Sequence, residues 1–93
     1  MPIPSFADKD TRALFEGRRM RRFESCAEQA IRRLQVLDAA ETLDDLSRLP
    51  SNRFEALRGD RSGQYSIRVN RQWRLCFRFS EGEAFDVELV DYH

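Results

Sequence analysis

Asp91-Tyr92-His93 sets an acid, a phenol and an imidazole side by side, and the imidazole is the only histidine of the 93-residue sequence. Such a trio can accept and donate protons near neutral pH. It follows a strand-like run, Phe85-Asp86-Val87-Glu88-Leu89-Val90, so a sheet would hold it in place. A polar end can equally just finish a surface strand. What separates the two readings is whether cations are brought to it. The net charge is zero, yet basic blocks at 12–33 and 48–78 alternate with acidic ones at Asp38–Asp45 and Glu81–Asp91. A surface with one positive side suits an anionic partner. Lys9 is the only lysine, so that charge is almost wholly guanidinium, the better fork for phosphate.

Alternation places the arginines. Tyr65, Ile67 and Val69 alternate with polar residues, as do Trp73, Leu75, Phe77 and Phe79, and then Phe85, Val87 and Leu89. Turn signals at Gly59–Gly63, Asn70–Gln72 and Ser80–Glu83 separate the runs, which predicts an antiparallel meander with one face on helices and one face open. If the apolar residues share the buried face, Val69 opposes Trp73 and Ile67 opposes Leu75, which puts Arg68 directly across from Arg74. Like charges in that relation destabilise a sheet, and a bound anion would relieve them. Opposing Phe77 with Val87 pairs Arg78 with Asp86 and brings Tyr92 beside Gln72, near Arg74, with Val90 the apolar intruder on that face. In the preceding strand, Phe54 and Ala56 facing the core would send Glu55 to the open face and leave Arg58 near the next turn.

The collection Glu55, Arg58, Arg68, Arg74 and Tyr92, with His93 nearby, suits metal-free RNA cleavage. Attack of a ribose 2′-OH on its own 3′-phosphate needs a base, an acid for the leaving 5′-oxygen, and cations for the charge on phosphorus. His93 or Glu55 can be the base and His93 or Tyr92 the acid, while Arg58 and Arg74 hold the phosphate. Glu55 can instead form only a surface salt bridge to Arg53 or Arg68. The same residues would serve RNA binding without catalysis, but Tyr65 and Trp73 are expected in the core rather than as stacking surfaces.

The elements that must position this site come first in the chain. Met1–Phe6, with Ile3 between Pro2 and Pro4 and Phe6 after them, is compatible with a short edge strand. Asp8 can cap a short helix that stops at Gly17. Ser25-Cys26-Ala27-Glu28 has the form of a capping box opening a helix with Ala27, Ala30, Ile31, Leu34 and Leu37 on one face and a Glu28–Arg32 pair on the other. Thr42-Leu43-Asp44-Asp45 has the same form for a third helix ended by Pro50. Ninety-three residues make one domain, spanning 1–93, with one modest core. No apolar run approaches the roughly 20 residues of a membrane helix and no signal-peptide pattern opens the chain, so a cytoplasmic, soluble protein is expected. Cys26 and Cys76 belong to no ligand spacing and read as buried reduced thiols; no metal and no cofactor is expected.

Glu55-Ala56-Leu57-Arg58-Gly59-Asp60-Arg61-Ser62-Gly63-Gln64-Tyr65-Ser66-Ile67-Arg68-Val69-Asn70, then Gln72-Trp73-Arg74-Leu75-Cys76-Phe77, resembles HigB-type toxins of the RelE/ParE superfamily. So do Leu14-Phe15-Glu16-Gly17, Leu37-Asp38-Ala39-Ala40 and the terminal Asp91-Tyr92-His93. The resemblance covers nearly the whole chain. It implies an α+β fold, a compact RelE-like single domain with two to three N-terminal helices on one face of an antiparallel sheet. It also implies a ribosome-dependent mRNA endonuclease acting in the decoding site of the small ribosomal subunit. A helix-turn-helix antitoxin of the HigA type would silence it, and promoter DNA would be met only through that complex. Carried over residue by residue, the family's cleavage site falls on Asp91, Tyr92, His93 and Arg74, and on Arg58 where many members have lysine. Glu55 stands where many members have histidine, so either Glu55 acts as base or it only orients an arginine while His93 carries the protons. Arg61, Arg68 and Arg71 are assigned to RNA contact. The alternatives are a ParE-like toxin that binds a protein target such as DNA gyrase, and an inactive remnant that only binds its antitoxin.

Overall fold

A computed structural model of the protein describes residues 3–92; Met1, Pro2 and His93 lie outside the described residues. Three helices precede a sheet, as the change of period predicts: α1 Lys9–Phe15, α2 Ala27–Ala39 and α3 Leu43–Ser47, then β1 Glu55–Ala56, β2 Tyr65–Arg68, β3 Trp73–Ser80 and β4 Glu83–Asp91. The strands form one antiparallel sheet in the order β1-β2-β3-β4.

Local chemistry explains the helix ends, with one exception. The Asp8 carboxylate accepts from the Thr11 amide, and Thr42 and Asp45 form the expected capping box on α3. Backbone amides of Glu41 and Thr42 donate to Asp45 and hold its carboxyl below the usual carboxylate range. The capping box expected at Ser25 does not form: Cys26 is the N-cap of α2 and supplies no side-chain bond. The reason is tertiary. Phe23 is fully buried and meets Trp73 edge-on, with centroids 5.5 Å apart, so the chain turns through a 3₁₀ segment at Arg21–Phe23 and draws Cys26 inward. Glu28 and Arg32 form no ion pair among the described residues.

The core lies between the helices and the odd-numbered face of the sheet. Ala30, Leu34 and Leu37 of α2 meet Ile67, Leu75, Phe77, Val87 and Leu89, all within 1% of complete burial. Each large side chain so buried contributes about 1.5–3 kcal/mol. The β4 edge does not stay bare. Ser5–Ala7 runs parallel along it, exchanging bonds with Val87, and the buried Thr11 hydroxyl of α1 accepts from the Leu89 amide. A single parallel bridge at Phe6 thus stands where a short edge strand was expected, and it covers the middle of the β4 edge.

The register of the first hairpin is the expected one: Ile67 opposes Leu75 and Arg68 opposes Arg74. The second hairpin keeps its expected register only from Trp73 to Cys76. A β-bulge then intervenes and Arg78 opposes Phe85, not Asp86. Asp86 takes φ +52° to absorb the extra residue, yet its carboxylate still reaches Arg78 Nε at 3.6 Å.

Candidate active site

The even-numbered face of the sheet carries the site, and it is less open than alternation implies. Ser66 and Cys76 are fully buried on it. Arg61 reaches across from the β1–β2 connection to Gln64 and to Glu88, the row neighbour of Cys76, at 3.0 and 3.3 Å. Arg74 lies across β2.

Arg74 is the best-fixed cation of this face. Its Nε donates to the Ser66 hydroxyl at 2.8 Å and its Nη2 donates to the Arg53 carbonyl. Glu55 Oε1 lies 3.4 Å from the same Nη2, and the Tyr92 ring centroid is 5.9 Å from Arg74 Cζ. The Arg74 side chain is only 12% exposed, whereas Glu55 is 58% exposed. The sequence sets these positions through two devices. Pairing of Glu55 with Ser66 across β1–β2 points both to this face. Arg53, after the 3₁₀ turn Pro50–Asn52, adopts left-handed φ +46°. Below that turn the buried Asn52 donates to the Leu46 carbonyl and accepts from Arg33 at 2.7 Å. The Tyr92 amide donates to the Gln72 carbonyl, which continues the β3–β4 ladder past Asp91.

The structure thus brings together Glu55, Arg74 and Tyr92. The partner of Glu55 is Arg74, in place of the Arg53 or Arg68 considered from sequence. Arg68 sits in the row beside Arg74, with Nε bonded to the Asn70 carbonyl. Arg58 is exposed, and its side chain has no bonded partner among the described residues. Arg61 is committed to Glu88, and Arg71 is exposed in the β2–β3 turn. Asp91 does not join this face. It shares a row with Trp73 on the helix side, where it accepts from Gln72 Nε2 at 3.0 Å and its charge bears on the Cys26 thiol. His93 lies outside the described residues. Sequence reasoning missed Ser66 and the Arg53 carbonyl as holders of Arg74; the alternation already put Ser66 on that face, but nothing in it announces a left-handed Arg53.

Burial pushes both thiols up, helped at Cys26 by Asp91, which favours the protonated form of each at neutral pH. Among the described residues no group of three His, Cys, Asp or Glu side chains is placed to hold a metal ion. The arrangement around Arg74 is a fixed guanidinium flanked by an acceptor and a phenol, suited to a phosphate with a proton moving on either side.

Comparison with known proteins bears on this geometry. A family model described as the RelE-like toxin of the type II toxin–antitoxin system HigB matches residues 4–93. Toxin HigB-1 of Vibrio cholerae is 43% identical over 86 residues, 90% of either chain. Endoribonuclease HigB of Proteus vulgaris is 39% identical over 61 residues, covering 66% of this chain and 65% of that one. Among solved structures, the YoeB–YefM complex of Staphylococcus aureus includes a chain with TM-score 0.58 at 18% identity, over 98% of this chain and 94% of that one. The YoeB/ParE toxin of Agrobacterium tumefaciens gives 0.53 at 17% identity, over 100% of this chain and 99% of that one. These two likenesses concern the fold alone.

Proposed function

The chain belongs to the HigB family of RelE-like toxins of type II toxin–antitoxin systems, and we propose that it is a ribosome-dependent endoribonuclease cutting messenger RNA in the decoding site without a metal ion. The observation that carries this reading is Arg74, held by Ser66 and Arg53 on the sheet face that also presents Glu55 and Tyr92. The name of the Proteus relative, an endoribonuclease, supports it.

In the proposed reaction the ribose 2′-oxygen bonds to the adjacent phosphorus and the P–O5′ bond breaks. The products are a 2′,3′-cyclic phosphate and a 5′-hydroxyl. The 2′-OH proton goes to His93 or Glu55, and the 5′-oxygen receives one from His93 or Tyr92. Arg74 stabilises the charge that grows on the phosphoryl oxygens, and Arg58 supplies a second cation. Asp91 acts from the other side of β4 as a positioning residue, through Gln72 and the strand that carries Tyr92.

Glu55 and Tyr92 are both exposed, so on its outer side the site is bounded by solvent and not by walls that would hold an RNA in line for attack. A surface that supplies those walls, the small ribosomal subunit with its message, completes the site. A helix-turn-helix antitoxin of the HigA type would silence the toxin and carry the pair to promoter DNA. No described helix is long and apolar enough to cross a membrane, and a cytoplasmic protein is the matching proposal.

Expression of the chain alone should arrest growth and leave cut messages. Mapping RNA ends with translation running and with translation blocked checks this. Cuts that persist equally on naked RNA would indicate a free ribonuclease, and arrest without cuts would indicate a protein target.

A further inference from the structure

A groove of about 500 Å³ lies between α2 and the β2–β3 turn, with Arg33, Arg53, Arg68 and Arg71 around it, Gln29 and Asn70 among its polar lining, and no carboxylate among the described residues that line it. Its volume is in the range of ligand-sized clefts, roughly 300–1,000 Å³. A second depression shares Gln29 and Arg33 and extends the positive lining along α2 through Arg32. The arginines of the groove differ from many others in the chain. Arg19, Arg22, Arg48, Arg61, Arg74 and Arg78 each pair with a carboxylate. Among the described residues none of the groove's four does. Arg33 bonds to the neutral Asn52 and Arg68 to a backbone carbonyl, while among the described residues no side-chain partner holds the guanidinium of Arg53 or Arg71. Four guanidinia thus line one groove with no ion-paired carboxylate among the described residues, a concentration of positive charge that attracts an anion.

We propose that this groove is a track for the backbone of single-stranded RNA, continuous with the phosphate site at Arg74. The inference rests on reading the Arg74 face as an RNA-cleaving site. Two contacts make the continuity. Arg53 lines the groove while its carbonyl holds Arg74, and Arg68 lines it while opposing Arg74 in the sheet. A chain cut at Arg74 would therefore meet the groove with its flanking phosphates. Positive charge stands on both walls, Arg33 on the helix side and Arg53, Arg68 and Arg71 on the sheet side, as a repeating anion requires. The apolar lining is confined to Pro50 and Val69, so a protein segment would find no pocket for the apolar anchors that dominate protein interfaces.

The test compares binding of a short fluorescent polyuridylate to the wild-type protein and to the Arg53→Asn/Arg71→Gln double variant across a salt series. Asparagine tolerates the left-handed φ of +46° at position 53, and thermal melting establishes that the variant folds. The variant should bind roughly tenfold more weakly. Its slope of log affinity against log salt should be shallower by about 1.4, or about 0.7 for each lost phosphate contact. Wild-type affinity and slope in the double variant would overturn the proposal, as would no binding by the wild-type protein at low salt. Polyglutamate competing as strongly as polyuridylate would also overturn it, by assigning the groove to acidic polypeptides. Arg74→Ala separates the two readings. A cleavage-dead Arg74→Ala beside an unaffected double variant removes the groove and keeps the site. Wild-type cleavage by Arg74→Ala removes the site and leaves the binding arm to decide the groove.

Discussion

Ser66→Ala is the sharpest probe of how the fold aims Arg74. Ser66 is fully buried and its hydroxyl accepts the Arg74 Nε hydrogen bond at 2.8 Å. A hydrogen bond to a charged group contributes about 1.5–3 kcal/mol. The other acceptors, the Arg53 and Ser66 carbonyls and Glu55, engage Nη2 and leave Nε without a substitute among the described residues, while the side chain is only 12% exposed to water. Nη2 keeps its partners, so the lower half of that range applies, about 1.5–2 kcal/mol. In a domain of this size each kcal/mol moves Tm by roughly 4–8 °C, so the expected fall is about 6–16 °C. Cleavage should fall as well, because a guanidinium freed at Nε swings about its Nη2 contacts, and a misplacement of about 1 Å costs on the order of 100-fold. Circular dichroism melts and cleavage rates on programmed ribosomes, taken well below the variant's Tm, measure both. Ser66→Thr retains the hydroxyl and should recover part of each loss. A lower Tm with wild-type cleavage would show that the aim of Arg74 does not matter to the reaction.

Glu55→Gln should change stability by less than about 1 kcal/mol, since the carboxylate is 58% exposed, and should reduce cleavage by no more than about tenfold. His93→Gln should cost ~10²–10⁴-fold in cleavage rate; a larger loss from Glu55→Gln would make Glu55 the principal proton carrier. Cys26 and Cys76 are pushed up by burial, so the folded state holds their protons where an unfolded chain has begun to lose them. Stability from these two groups is therefore fully present at neutral pH and lost as pH rises above the ordinary thiol value. Urea midpoints should fall across that window and hold steady in a Cys26→Ser/Cys76→Ala variant, and an equal fall in both proteins would contradict the assignment.

Much of the site was legible because the sheet has a strict period. The alternation of Tyr65–Val69 and Trp73–Phe79 gave the Arg68–Arg74 row and the approach of Tyr92 to Arg74. The same alternation, applied to Asp91, assigns it to the Trp73 row and the helix side; grouping it with Tyr92 by adjacency alone hid this. The bulge at Asp86 was not legible, because an aspartate in a strand pattern carries no mark of left-handed φ. Phe23 was missed since it stands in an arginine-rich stretch, where only its contact with Trp73 reveals it as core. That contact in turn displaced the expected cap at Ser25. The groove escaped for a different reason: Arg33 comes from a helix, Arg53 from a 3₁₀ turn's end and Arg71 from a hairpin, and no spacing in the sequence joins them.

The central claim is that Arg74 stabilises the phosphorane charge of a message held on the ribosome. Its most direct test is the single-turnover cleavage rate of a defined message on programmed ribosomes, for Arg74→Ala against the wild-type protein, with folding of both established by melting. Loss of one such donor costs about 2.7–4 kcal/mol, so the rate should fall on the order of 10²–10³-fold. Cleavage at the wild-type rate by a folded Arg74→Ala protein would contradict the account.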